Sequence, residues 1–428
     1  MRLNRRKDKL MKETYESLLR DRRAYRWGWY PIPLIVTVCS WTFYNLNNLL
    51  NYVIILIYLF VLVYSIYKKQ LELLYFPLIF FDTVLVLPIG GSFFPIYELA
   101  FLINLIINRK FKIPKDKMGI LIGIYIFMGC AYVSKTSTLI SMCINAFIMF
   151  IIISDIYKDK NNRKNFLIIF ALGATVSGCY GLVHNNGINF GYGIRYAGSI
   201  DDPNYSALFY VYGIIAILSV KSIKKKYKML LLIVLFASLL RTISLTGIVG
   251  CIALVLLFNY IKNPKKGFLL IFIFTVAFII FLGMKIPSDS MLYGIHTRII
   301  NVIADLNIGD FNSITSSRNS IFKLYMSEFN SQSNIFRIAL GGKNVINEPL
   351  FGVVSHNSFI DLLFMNGIIG LVFVITWFVI RIIYLIIKYK KTGDETYLGI
   401  AFIKITTLYF ALTISIYSYR YFNMSLWL

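Results

Sequence analysis

The chain has 428 residues, 58% of them hydrophobic, and carries a formal charge of +24. Its mean hydropathy of +0.69 excludes a soluble globule, because many apolar runs approach the roughly 20 residues that cross a bilayer. The basic residues lie in short loops between those runs, which excludes nucleic acid as the partner and makes the charge a topology signal.

From the N-terminus, the stretch up to Trp27 carries ten Lys or Arg, and it is too long and too charged for a signal peptide. Residues 1–28 are therefore predicted as a cytoplasmic basic segment near anionic headgroups, and the first apolar run as a retained transmembrane helix. Apolar runs follow near 31–46, 50–67, 72–89, 94–108, 118–133, 138–156 and 166–183. Others lie near 204–220, 229–241, 243–261, 268–284, 357–387 and 397–418. The expectation is an all-α, polytopic integral membrane protein with about 12–13 transmembrane helices. Its helices fill 29–284 and 356–428, on either side of one large external loop, 285–355. The five cysteines, Cys39, Cys130, Cys143, Cys179 and Cys251, sit in or beside apolar runs without C-x-x-C spacing, so neither a disulfide framework nor a zinc site is indicated.

With the N-terminus inside and sides alternating, 32 basic residues fall on the inner side and 10 on the outer. That bias satisfies the positive-inside rule. The external loop carries two helical stripes, one at Leu292, Ile295, Ile299, Ile303 and Leu306, the other at Ile321, Leu324, Tyr325 and Phe329. These predict two amphipathic helices forming a lid over the outer face.

Three arginines placed outside are unexplained by topology. Arg195 precedes a turn in which Asp202 can cap a helix that starts with Pro203. Arg318 follows Ser316 and Ser317, either of which would cap a helix and leave the guanidinium beside free N–H groups, a receptor for phosphate. Arg241 ends an apolar run, where a cation is costly and marks a functional site by default. His356 opens the long run at 357–387, at the water boundary, and Asn357 follows it. His184 and His296 are external but have no partners at metal spacing. Glu348, Asp201 and Asp202 are external acids able to orient a histidine or an acceptor sugar. No carboxylate pair has glycosidase spacing.

His356-Asn357, nine residues, Gly367, two residues and Gly370 resemble the signature of the bacterial O-antigen polymerase and O-antigen ligase family. The glycines are expected to let another helix pack close. Arg195 before a turn to Pro203-Asn204, and Ser316-Ser317-Arg318 opening a helix, resemble the same family more weakly. The chain departs from it at Ser244-Leu245-Thr246-Gly247, where members commonly carry S-R-x-G or S-R-x-A. Arg241, four residues earlier, is expected to project from the same helical face as Leu245 and replace that arginine.

The resemblance implies a bundle of the type-C glycosyltransferase kind that polymerises undecaprenyl-diphosphate-linked oligosaccharide repeat units. The reaction takes place at the outer face of the bacterial cytoplasmic membrane. His356 is the implied catalytic base, Arg195, Arg241 and Arg318 the diphosphate-binding residues, and Asn357 and Glu348 supporting residues. Because arginines can neutralise the diphosphate, neither metal nor cofactor is required, and direct attack inverts the anomeric centre. The partners implied are the lipid-linked donor and acceptor, the lipid bilayer and, optionally, a chain-length regulator protein. Ligase-type transfer to another acceptor uses the same donor. The Lys, Ile and Asn richness of the chain, a compositional hint of an AT-rich genome without lipid A cores, favours polymerase. A lipid-linked oligosaccharide flippase is the competing class, and should place ionisable residues near the bilayer midplane.

Overall fold

The computed structural model describes residues 160–183, 187–189, 194–199, 202–288, 290, 292–309, 318–343, 345, 349–416 and 424–425. It also describes 86–89, 92–95 and the helical residues Leu56, Phe60 and Val63. The basic segment 1–28, the runs near 31–46, 118–133 and 138–156, and most of the three runs between them lie outside the described residues.

The described chain is mostly helical. Four of its helices are long and apolar enough to cross a membrane, namely Arg163–Val183, Leu245–Lys262, Pro264–Gly283 and Ser358–Thr392. In chain order the helices are α1 (Lys160–Val183), α2 (Pro203–Ser219), α3 (Lys225–Arg241), α4 (Leu245–Lys262) and α5 (Pro264–Gly283). The segment 285–355 contributes α6 (Tyr293–Ile308), α7 (Arg318–Asn330) and the short α8 (Ile335–Leu340), and α9 (Ser358–Thr392) and α10 (Glu395–Ala411) follow.

Two hairpins correct the all-helical expectation locally. Strand β1 (Val86–Ile89) pairs antiparallel with β2 (Ser92–Pro95), Ile89 opposite Ser92. The runs expected at 72–89 and 94–108 are therefore not helical at their facing ends. The intervening Gly90-Gly91 is the composition that a two-residue hairpin loop favours. The second hairpin joins β3 (Gly187–Asn189) to β4 (Ile194–Tyr196), with Ile188 opposite Arg195. The last run also ends early, at Ala411 rather than 418, because Ser358 Oγ captures the chain beyond it. That hydroxyl donates to the Ile414 carbonyl at 2.8 Å and accepts from Ile416 N–H at 2.7 Å.

α2 is the central helix, packed against α1, α3, α4 and α10, and most of its side chains are buried. Small residues permit these close crossings. A Cβ on Gly213 would lie 2.7 Å from Ala174 Cβ, and one on Gly399 2.2 Å from Ser219 Oγ. α5 is the opposite case. Gly267 is its one buried residue, and Phe268, Phe272 and Ile279 stand well exposed, the pattern of a lipid-facing helix.

Polar residues gather at the two ends of the bundle. At one rim, Arg163 on α1 pairs with Asp394 at 2.9 Å and donates to Thr396 Oγ1 at 3.2 Å. Beside it Glu395 takes both Lys221 and Lys262, at 3.0 and 2.7 Å. At the other rim, Tyr205 Oη donates to the Ser415 carbonyl at 2.7 Å. The 17 residues of α2 join the rims over about 26 Å, close to the roughly 30 Å of a hydrocarbon core.

α9 has 35 residues, about 51 Å if straight. It meets both ends of α10, whose 17 residues span about half that length. It therefore cannot be one rod. The break falls at Gly367, with φ +66 and ψ −173. The end of α8 and the loop after it fill the break, with Gly342 N–H donating to the Met365 carbonyl at 3.0 Å and Lys343 N–H to Phe364 at 3.1 Å. A Cβ on Gly367 would sit 2.2 Å from the Ala339 carbonyl oxygen. The expectation that this glycine lets another helix pack close holds, the helix being α8. Its φ is also one that only glycine adopts without strain.

Of the two predicted lid helices, α7 buries Tyr325 and Phe329 edge-on against Phe364, with ring centroids 5.7 and 5.6 Å away. These residues form a second small core with Ile360 and Leu363. α6 buries Ile295 and half-buries Ile299 but leaves Leu292, Ile303 and Leu306 exposed, so only the middle of its stripe is covered.

Candidate functional site

The site lies at the rim away from the Arg163–Asp394 pair. β4 carries Arg195 inward, where it is 5% exposed. Its Nε donates to the Thr242 carbonyl and its Nη2 to Asn204 Oδ1, both at 2.9 Å. Asn204 belongs to the first turn of α2, which Asp202 caps through Asn204 N–H and Tyr205 N–H with Pro203 at the first position, as the sequence predicts. Asn204 Oδ1 also accepts from Ser244 Oγ at 2.8 Å, and Ser244 caps α4. Arg195 thus ties the starts of two helices to the turn between α3 and α4.

That turn is strained. Ile243 has φ +47, a conformation costly for a β-branched residue. Its carbonyl accepts from Arg298 Nη1 at 2.7 Å. Arg298, on α6, had no local mark beyond being one of the basic residues placed outside. Only the fold reveals that it reaches the carbonyl adjacent to the one Arg195 holds.

The same turn decides the position of Arg241. It ends α3, whereas Leu245 begins α4, so the four-residue helical spacing expected between them does not exist. The Arg241 Nη1 group donates to the carbonyls of Gly181 and Leu182 at the end of α1. Its guanidinium also lies 3.9 Å from the centre of the Tyr196 ring. A cation on the last carbonyls of a helix is a favourable cap.

His356 sits in the bend before α9, exposed, at φ +52. The residues on either side hold the bend. Asn357 caps α9 by accepting from Phe359 N–H and Ile360 N–H at 2.9 and 3.3 Å. Ser355 Oγ accepts from Asn357 N–H at 3.0 Å and donates to Asp361 Oδ1 at 2.5 Å. Ser415 Oγ is 3.3 Å from Ser355 Oγ. Asp361 is fully buried, and its Oδ2 has no hydrogen-bond partner. The sequence reading passed over Asp361 because it stands inside an apolar run. Its position in the first turn of α9, where a carboxylate favours the helix dipole, was the available signal.

α7 opens at Arg318, half-buried, and this arginine and His356 sense one another. Loss of water lowers the His356 pKa below 6.5, the nearby Arg318 charge lowers it further, and Asp202 partly opposes both. Arg318 in turn is held low by loss of water, opposed by Asp202 and Tyr205, with Arg195 repelling it. The fold therefore brings His356, Arg318, Asp202 and Arg195 into one electrostatic cluster, drawn from α7, the α2 cap, β4 and the start of α9. The lowered pKa favours the neutral imidazole at neutral pH, with the Arg318 charge near enough to act on it. Such a pairing can take a proton from a hydroxyl and receive an anion beside it.

Among the remaining predicted residues, Glu348, Asp201 and His184 lie outside the described residues, as do Ser316 and Ser317. His296 packs edge-on to Phe281 with centroids 5.3 Å apart. In comparisons with known proteins, no family model, no curated protein and no solved structure matches this chain.

Proposed function

We propose that the chain is a metal-independent, inverting membrane glycosyltransferase that polymerises undecaprenyl-diphosphate-linked oligosaccharide repeat units at the outer face of a bacterial cytoplasmic membrane. The observation that carries this reading is the electrostatic cluster of a neutral imidazole, His356, with Arg318, Arg195 and Asp202. The acceptor hydroxyl gives its proton to His356 as its oxygen bonds to the anomeric carbon of the donor. The bond from that carbon to the diphosphate breaks, and undecaprenyl diphosphate leaves with the electron pair. Arg318 and Arg195 stabilise the charge on the leaving group. The imidazolium then returns its proton to water. Asn357 and Asp361 act by fixing the bend that carries the base.

The test is a glycan ladder from cells carrying the gene, cells lacking it and cells with His356→Ala at matched protein level. Loss of every band above the single repeat in the second and third supports polymerase. Free polymer that is no longer attached to a lipid core assigns ligase chemistry instead.

One observation favours a second reading, a transporter of lipid-linked oligosaccharide. Lys404, midway along α10, is fully buried. Arg381 lies within electrostatic reach of it, and the Phe378 ring is 4.5 Å away. Cations at membrane depth often mark a transport path. Translocation of a labelled lipid-linked glycan that is lost in Lys404→Met, with no glycosidic bond formed, would select this reading.

A further inference from the structure

The rim bearing the Arg163–Asp394 pair carries a second feature, independent of the cluster around His356. Between α1 and α3 opens a cavity of about 490 Å3, a volume typical of small-ligand sites. Its walls are two stripes at helical spacing, Ile168, Ala171 and Leu172 on α1, and Tyr227, Leu230 and Leu231 on α3. The loop at 222–224 closes it on the rim side, with Lys224 at the mouth. The outer edge of the α3 wall faces the apolar surroundings, Leu230 being 58% exposed.

Among the described residues the charge at the mouth is in excess. The described acids of this rim are paired, Asp394 with Arg163 and Glu395 with Lys221 and Lys262. Lys224, Lys225 and Lys226 are exposed, and among the described residues none of the three has an acid within 4.0 Å. Lys226 does stand 4.9 Å from the ring of Tyr227. An aromatic ring at the mouth, lysines outside it and aliphatic walls inside reproduce the order of a phospholipid from headgroup to chain.

We propose that the α1–α3 groove binds an anionic phospholipid of the adjoining leaflet, with an acyl chain between the two stripes and the phosphate on Lys224 to Lys226. Neutral lipid would fill the apolar walls equally well, so the lysines are what select charge. A free phosphate would use the lysines and ignore the walls.

The experiment uses the full chain in detergent, with retained lipid read by native mass spectrometry after mixing with equal dioleoyl-phosphatidylglycerol and dioleoyl-phosphatidylcholine. Phosphatidylglycerol should be retained on the order of ten-fold more than phosphatidylcholine. The triple substitution Lys224→Gln, Lys225→Gln, Lys226→Gln should bring that ratio close to one. Leu230→Trp, at a largely exposed position whose change leaves the core intact, should fill the groove and reduce retention of both lipids. Equal retention by the wild-type chain overturns the proposal, as does wild-type selectivity in both variants. Displacement of phosphatidylglycerol by millimolar inorganic phosphate would assign a free-phosphate site instead and also overturns it.

Discussion

Replacing Gly367 by alanine tests the linkage between residues 339–343 and the helix behind the candidate site. At φ +66 and ψ −173, a residue with a Cβ is strained by about 1–3 kcal/mol. The new methyl would also meet Ala339 O at 2.2 Å, Ala339 C at 2.3 Å and Leu340 N at 2.5 Å. These are backbone atoms and cannot swing aside, so the segment must move. It then loses the hydrogen bonds from Gly342 and Lys343 to Met365 and Phe364, together worth about 1–3 kcal/mol. The sum, about 2–6 kcal/mol, is a large part of a typical total stability. Thermal unfolding of purified protein in one detergent should therefore show a clear drop, accompanied by faster proteolysis around residues 339–343. Gly283→Ala is the control, because nothing lies within 4 Å of its added Cβ. A Gly367→Ala protein as stable as the control, with its loop still protected, would refute the account of the break.

His356→Ala should lower turnover by about 10²- to 10⁴-fold at unchanged membrane level. Because the His356 pKa lies below 6.5, turnover should be flat at neutral pH and fall as pH drops through that lowered value. Removing the repelling charge with Arg318→Ala should move this acid limb to higher pH, and an unmoved limb in a pH–rate profile would separate the two residues. Arg241→Ala should lose folded protein rather than donor turnover per folded molecule, since its side chain caps α1 and stacks on Tyr196. Adding Leu245→Arg should not restore it, and size-exclusion yield beside specific turnover decides between these outcomes.

The helices around the site were legible from apolar runs bounded by basic loops, and so was the Asp202-Pro203 start of α2, because both are local patterns. What was not legible is long-range or conformational. Arg163 meets Asp394 across 231 positions, and no window of sequence holds both. Arg298 and Arg195 share the α3–α4 turn only because β4 and α6 both fold back onto it. The same turn removes the helical relation once expected between Arg241 and Leu245, since the spacing of four residues says nothing about whether the helix continues. Gly367 reads from its signature as a packing glycine, and α8 does pack there. Its left-handed φ depends on α9 meeting both ends of the shorter α10, which no pattern within α9 reveals. Asp361 looked like an isolated acid in an apolar run, and its role rests on Ser355 and Ser415 coming together beneath the bend.

The central claim is bond formation at the His356 cluster. The most direct measurement is the product made by purified protein, reconstituted in vesicles, from a single undecaprenyl-diphosphate-linked repeat unit. A ladder of lengthened lipid-linked glycans with stoichiometric release of undecaprenyl diphosphate, both absent in His356→Ala, is the expected result. Movement of the intact donor across the vesicle membrane without release of undecaprenyl diphosphate would contradict it.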